Sequence, residues 1–130
     1  MPTGIYTDKV LDHFICPRNV GRMNNADGES TIGDPSCGDS VTVYLKVRDG
    51  RIEAISYLVF GCAGAISTSS VTSELAKGKA LEEALEITDD DVIEALGGLP
   101  ERKKHCSLLA VKGLRGAIED YYRKMNEAGE

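Results

Sequence analysis

The segment from Val41 to Phe60 constrains this chain more than any other. Val41, Val43, Leu45 and Val47 alternate with Thr42, Tyr44, Lys46 and Arg48, the period-2 pattern of a strand with one buried face. Asp49-Gly50 follows, and Arg51 to Phe60 returns as a second extended run whose faces are less cleanly separated. A two-residue Asp-Gly connection favours a type I′ turn, which needs positive φ at both positions. The pattern therefore predicts an antiparallel sheet with these two strands joined tightly.

The rest of the chain arranges itself around that hairpin. Tyr6, Val10 and His13/Phe14 recur at helical spacing and predict an amphipathic helix from about Thr3 to Ile15. Cys16-Pro17 ends it, because a residue before proline is pushed out of the α region. From Arg18 to Ser40 the chain is rich in Gly, Asn, Asp and Pro, and reads as loop with one short strand near Glu29–Gly33. After Gly61 the character turns helical. Ala65 to Lys77 is a helix of small residues closed by Gly78, and Leu81–Leu85 is a short helical turn. Thr88 followed by Asp89, Asp90 and Asp91 is an N-cap with acids in the first turn, opening a helix that stops at Gly97-Gly98. The last helix starts near Ser107 and carries Leu108, Val111, Leu114, Ile118, Tyr121 and Met125 as its stripe. Early strands and late helices predict an α+β fold, with helices on one face of a small antiparallel sheet of about three strands. The expected organisation is a single domain over 1–130: an N-terminal helix at about 3–16, the sheet at about 29–60 and the helical part at about 64–126.

Composition removes several functions. The net charge of −6 gives no electrostatic gain on a phosphate backbone, so nucleic acid is not the expected partner. The charge-free stretch from Ile55 to Ser73 is rich in Ser, Thr and Gly, unlike the roughly 20 predominantly apolar residues of a bilayer span. The first residues show no basic region leading into an apolar run, so a cytoplasmic location is expected.

The cysteines are Cys16, Cys37, Cys62 and Cys106, with no CxxC pair among them, so any shared site must be assembled by the fold. Cys37 lies in a turn-rich loop entering the first long strand, Cys62 between the return strand and the next helix, and Cys106 at the start of the last helix. The hairpin brings its Cys37 and Cys62 ends to the same edge. Cys62 and Cys106 also stand at helix starts, where unpaired N–H groups and the dipole favour a thiolate, the form that binds metal. Asp39 and His105 could add an oxygen or a nitrogen ligand. Glycines beside Cys37 and Cys62 allow a backbone to approach an inorganic group, which core cysteines do not need. Cys16 reads instead as a partly buried helix-end thiol, and His13 as a packed or hydrogen-bonded side chain.

At this point the sequence resembles a known family. Tyr6-Thr7-Asp8-Lys9-Val10-Leu11-Asp12-His13-Phe14 followed by Pro17-Arg18-Asn19-Val20-Gly21 looks like the opening of the IscU-type iron–sulfur cluster assembly scaffolds, also found as the N-terminal domain of NifU. Cys37-Gly38-Asp39, Phe60-Gly61-Cys62, Ser67-Thr68-Ser69-Ser70 and Leu99-Pro100 leading to His105-Cys106-Ser107 match in the same order. There is no insertion before the last cysteine of the kind found in SUF-type, zinc-binding relatives. The glycine that usually follows the middle cysteine is displaced by one residue, to Gly64.

The resemblance implies a non-enzymatic scaffold on which a 2Fe-2S cluster is built and then passed on. Cys37, Cys62 and Cys106 would be its thiolate ligands, with Asp39 or His105 in the fourth position. Cys106 would also accept sulfane sulfur. A ligand set weaker than Cys₄ suits a transient cluster, which makes Asp39 a candidate release lever. The implied partners are a cysteine desulfurase, an electron donor such as a ferredoxin, and apo iron–sulfur acceptor proteins. Pairing of two copies into a homodimer would supply a further ligand. The family's chaperone-recognition segment, commonly Leu-Pro-Pro-Val-Lys, here reads Leu99-Pro100-Glu101-Arg102-Lys103, which argues against engagement of a specialised chaperone.

Two other chemistries compete. Cys₃ with His or Asp is also acceptable zinc ligation, so a zinc-binding module is the alternative. A thiol enzyme with Cys106 as nucleophile and His105 as base is weaker, because adjacent helical side chains diverge by about 100°.

Overall fold

Asp49 (φ 55°) and Gly50 (φ 74°) both hold positive φ and turn the chain tightly between two ten-residue strands, β2 (Asp39–Arg48) and β3 (Arg51–Phe60). A computed structural model of the chain describes residues 6–34, 38–100 and 104–128. Ahead of the hairpin, β1 (Gly28–Asp34) pairs antiparallel with β2 from Gly28↔Leu45 to Asp34↔Asp39. The sheet is three-stranded and antiparallel, in the order β1-β2-β3. The expected fold class is what the chain adopts, and β1 runs one residue beyond the expected strand at each end.

The weak alternation of β3 has a local cause. Lys46 faces Ala54 while Val47 faces Ile52, so Glu53 is an extra residue on β3. A bulge of this kind reverses the inward parity of the strand. Ile52 is therefore buried together with Ile55 and Tyr57, although an unbroken strand would place Ile52 on the opposite face.

The helices are α1 (Asp8–Ile15), α2 (Ala63–Ala76), α3 (Leu81–Leu85), α4 (Asp89–Ala95) and α5 (His105–Ala128). α5 packs chiefly on β1, and then on α2 and β2; α2 also packs on β3, and α1 packs on α2. The core lies between sheet and helices, with Val41, Val43, Leu45, Ile52, Ile55 and Tyr57 below, and Val71, Val111, Leu114 and Ile118 above. On the other face, the exposed Thr31 and Thr42 hydroxyls pair at 2.8 Å.

Several expectations need correction. α1 begins at Asp8, not at Thr3, because Thr7 is the N-cap and its hydroxyl accepts from the Val10 N–H at 3.1 Å. Phe14 is exposed, and α1 buries Val10 and His13 instead. α5 starts two residues earlier than expected. Its inner face carries Leu109, Ala110 and Ala117 with Val111, Leu114 and Ile118, while Leu108 and Met125 are exposed. Cys16, read as partly buried, is an exposed thiol at the end of α1. α4 opens as expected, with Thr88 and Asp91 exchanging hydrogen bonds across its first turn.

Candidate metal centre

β2 and β3 end side by side, with Ser40 opposite Phe60, so Asp39 at the start of β2 lies next to Gly61 and Cys62. Cys62 is the N-cap of α2, the helix that takes the chain from the sheet edge back over the core. Cys106 is the second residue of α5, inside its first turn rather than ahead of it. Three elements thus deliver three donor atoms to one point. The Cys62 and Cys106 sulfurs are 3.9 Å apart, and Asp39 Oδ2 is 3.9 Å from each. These atoms form a group able to hold a metal ion, all within 4.8 Å of one another.

The spacing suits a metal. A tetrahedral ion about 2.3 Å from each of two sulfurs holds them about 3.8 Å apart, close to the separation found here. Asp39 is buried, with 8% of its surface exposed, and Cys106 retains 1%, whereas Cys62 is partly exposed. The centre therefore opens to solvent on the Cys62 side.

Hydroxyl groups of α2 fix the frame. Thr68, wholly buried, places Oγ1 3.2 Å from the Cys106 carbonyl and 3.1 Å from the Ala65 carbonyl. The first of these ties the opening turn of α5 to α2 and so helps set the distance between the two sulfurs. Ser67 donates to the Val10 carbonyl at 2.7 Å, while Ser70 meets His13 Nδ1 at 2.7 Å and accepts from the Arg18 N–H at 2.9 Å. The Ser/Thr-rich stretch that counted toward the resemblance is thus a polar seam holding α1 against α2.

Of the residues expected at the site, the structure brings together Asp39, Cys62 and Cys106. Cys37 and Lys103 lie outside the described residues, and so does the side chain of His105, whose backbone opens α5. Leu99 is partly buried against the core, and Pro100 is half-buried beside it in sequence. His13 makes hydrogen bonds rather than joining the centre, as its position on the helix predicts. Thr68 was not singled out from sequence for the role it holds here, since a threonine does not announce its neighbour.

The description "NifU-like N terminal domain" fits residues 5–128 of the chain. The chain belongs to that family. It is similar to the iron-sulfur cluster assembly scaffold protein IscU 1 of Archaeoglobus fulgidus, with 61% identity over 120 residues covering 92% of this chain and 78% of that protein. It is also similar to the Escherichia coli K12 iron-sulfur cluster assembly scaffold protein IscU, 44% identical over 123 residues, covering 92% and 95%. Among solved structures, an iron-sulfur cluster assembly scaffold protein assigned to the SUF system of Fervidobacterium islandicum superposes with a TM-score of 0.75 at 25% identity, covering 91% of this chain and 99% of that one. The N-terminal part of a NifU-like protein from Brucella abortus matches equally well, with a TM-score of 0.75 at 24% identity over 94% and 97%, which speaks to the fold alone.

Proposed function

We propose that this chain, read as one domain over 1–130, is a scaffold that receives iron and sulfur, holds the nascent 2Fe-2S cluster and releases it to apo-acceptor proteins. The observation that carries the reading is the convergence of Asp39, Cys62 and Cys106 from three separate elements, in a family whose relatives bear that name. Cys37 is the third thiolate in this proposal. It stands two residues before Asp39 in the sequence. His105, next to Cys106, is the alternative to Asp39 as fourth ligand.

The cluster is cargo rather than a resident group, and the donor set suits that role. Three soft thiolates grip iron, while one carboxylate is a weaker donor that solvent or an acceptor thiolate can displace. Sulfur would arrive by exchange. The Cys106 thiolate attacks the outer sulfur of a persulfide on a cysteine desulfurase; the S–S bond breaks, the desulfurase cysteine leaves as thiolate, and Cys106 carries the persulfide. No net oxidation occurs in that step. Because Cys106 is buried, receipt at this sulfur requires its surroundings to open. An electron donor of the ferredoxin kind would serve the later reduction. Leu99, Pro100 and Lys103 form the segment we assign to partner contact. No described helix is long and apolar enough to cross a membrane.

Zinc is the competing reading, and the 3.9 Å spacing of the two sulfurs does not favour it, because tetrahedral thiolate-bound iron holds sulfurs at a similar separation. Anaerobic reconstitution with ferrous iron, cysteine and a cysteine desulfurase separates the two. A red-brown species with equal iron and acid-labile sulfide, lost in Cys37→Ser, Cys62→Ser or Cys106→Ser, is the expected outcome. Colourless protein that holds only stoichiometric zinc rejects the scaffold. In the same assay Asp39→Ala should lengthen the life of the cluster in the presence of an apo-acceptor. A decay as fast as that of the parent protein removes Asp39 from the release step.

A further inference from the structure

Gly61 stands between β3 and Cys62, and its φ is not positive, so its backbone would accept a side chain. The space beside it would not. A Cβ built on Gly61 falls 2.8 Å from Asp39 Cγ, 2.8 Å from Asp39 Oδ1 and 2.8 Å from the Ala65 Cβ. Carbon atoms in proteins do not pack that closely, because repulsion rises steeply inside the optimal separation of about 3.5–4.0 Å. Asp39 thus has one carboxylate oxygen against Gly61 and the other 3.9 Å from both sulfurs. The carboxylate is wedged between a bare glycine backbone and the two thiols.

We propose that Gly61 is a positioning residue for the metal centre: the volume left by its missing side chain seats the Asp39 carboxylate, and filling that volume expels the carboxylate from the two sulfurs. The inference rests on the reading of Asp39 as a donor of this centre.

Two neighbours could yield to an added methyl. The Asp39 carboxylate is the end of a flexible side chain and swings away by rotation about χ1 and χ2. The Ala65 Cβ is fixed to α2, and pushing it would also move the N-terminus of the helix and Cys62 with it. The informative variant is therefore Gly61→Ala/Ala65→Gly, which removes the second contact and keeps the first, with Ala65→Gly alone as its control.

The test has a metal-free arm and a cobalt arm. In the apo protein, thermal unfolding is compared for the control and the double variant, each with and without Asp39→Ala. The expected result is that Gly61→Ala lowers the midpoint when Asp39 is present, and that Asp39→Ala recovers most of that loss by vacating the seat. An equal loss with and without Asp39→Ala overturns the inference. In the cobalt arm, Co²⁺ is added anaerobically and the ligand-field and thiolate charge-transfer bands are recorded. Asp39→Ala should shift these bands, Gly61→Ala/Ala65→Gly should reproduce that shift, and combining them should add nothing. A double variant with the control's spectrum, where Asp39→Ala has shifted its own, overturns the inference. If Asp39→Ala itself leaves the cobalt bands in place, the donor reading fails, and the metal-free coupling alone then decides whether Gly61 seats the side chain.

Discussion

His13 faces α2 with Nδ1 2.7 Å from the Ser70 hydroxyl and Nε2 3.4 Å from Glu74 Oε1. Burial, reinforced by the Arg18 guanidinium, holds its pKa below the ordinary value of 6.5, against the opposing pull of Glu74 and Asp12. Below that value the unfolded chain binds a proton that the folded imidazole resists, so stability is present above pH 6.5 and is lost as pH falls from there toward the folded pKa. The predicted consequence is a steeper loss of denaturation free energy between pH 7.5 and pH 5.5 in the parent protein than in His13→Asn. Asparagine keeps a group able to bond Ser70 and does not titrate, so at pH 7.5 the variant should cost no more than about 1 kcal/mol. Identical pH slopes for the two proteins, measured by urea unfolding, would show that His13 is not the titrating group.

At the scale of elements, the tightest seam is α5 against the edge strand β1. A Cβ on Gly28 would strike the Ala117 carbonyl and lie 3.0 Å from the Tyr121 Cβ. Backbone cannot swing aside, so Gly28→Ala should destabilise by about 1–3 kcal/mol through overpacking. Gly113→Ala is the contrast. The nearest atoms to its Cβ would be methyl groups of Val43 and Val41, at 3.0 and 3.1 Å. Alanine also gains up to about 1 kcal/mol of helix propensity over glycine, which leaves the change near neutral. Urea denaturation midpoints for the two variants check the order, and a Gly113→Ala protein less stable than Gly28→Ala contradicts it. This seam shows where sequence pattern stops informing. The hairpin was legible because Asp49-Gly50 and the alternation of β2 state it locally. The Glu53 bulge left only a blurred pattern, since an extra residue changes parity without changing composition. Ala110 and Ala117, on the buried face of α5, carry too little apolar surface to mark that face, so the pattern draws the stripe through Leu108 and Met125. Likewise Phe14 drew the expected face of α1 outward, because the true contact is made by Ser67 and Ser70, which hydropathy scores as surface.

Across the whole molecule, the candidate centre is where β2, α2 and α5 meet. Part of this was legible beforehand: an antiparallel hairpin is expected to put its Cys37 and Cys62 ends at one edge, with Asp39 two residues past Cys37, and flanking glycine or histidine marks the cysteines. That Cys106 closes the triangle depends on how α5 crosses the sheet, which no local pattern encodes. The same geometry predicts how the apo protein responds to metal. An ion bound to Asp39, Cys62 and Cys106 clamps three elements that are far apart in sequence, and such a site is absent from the unfolded chain, so binding energy becomes folding energy. With free Zn²⁺ at about 100 times its dissociation constant the gain is about 2.7 kcal/mol, which for a domain of this size raises the thermal midpoint by about 10 °C. Cys106→Ser should remove most of that rise, because it withdraws the donor that links α5 to the other two elements. Differential scanning calorimetry of both proteins with and without zinc measures it. A rise retained in full by Cys106→Ser would place the bound ion elsewhere and detach α5 from the centre.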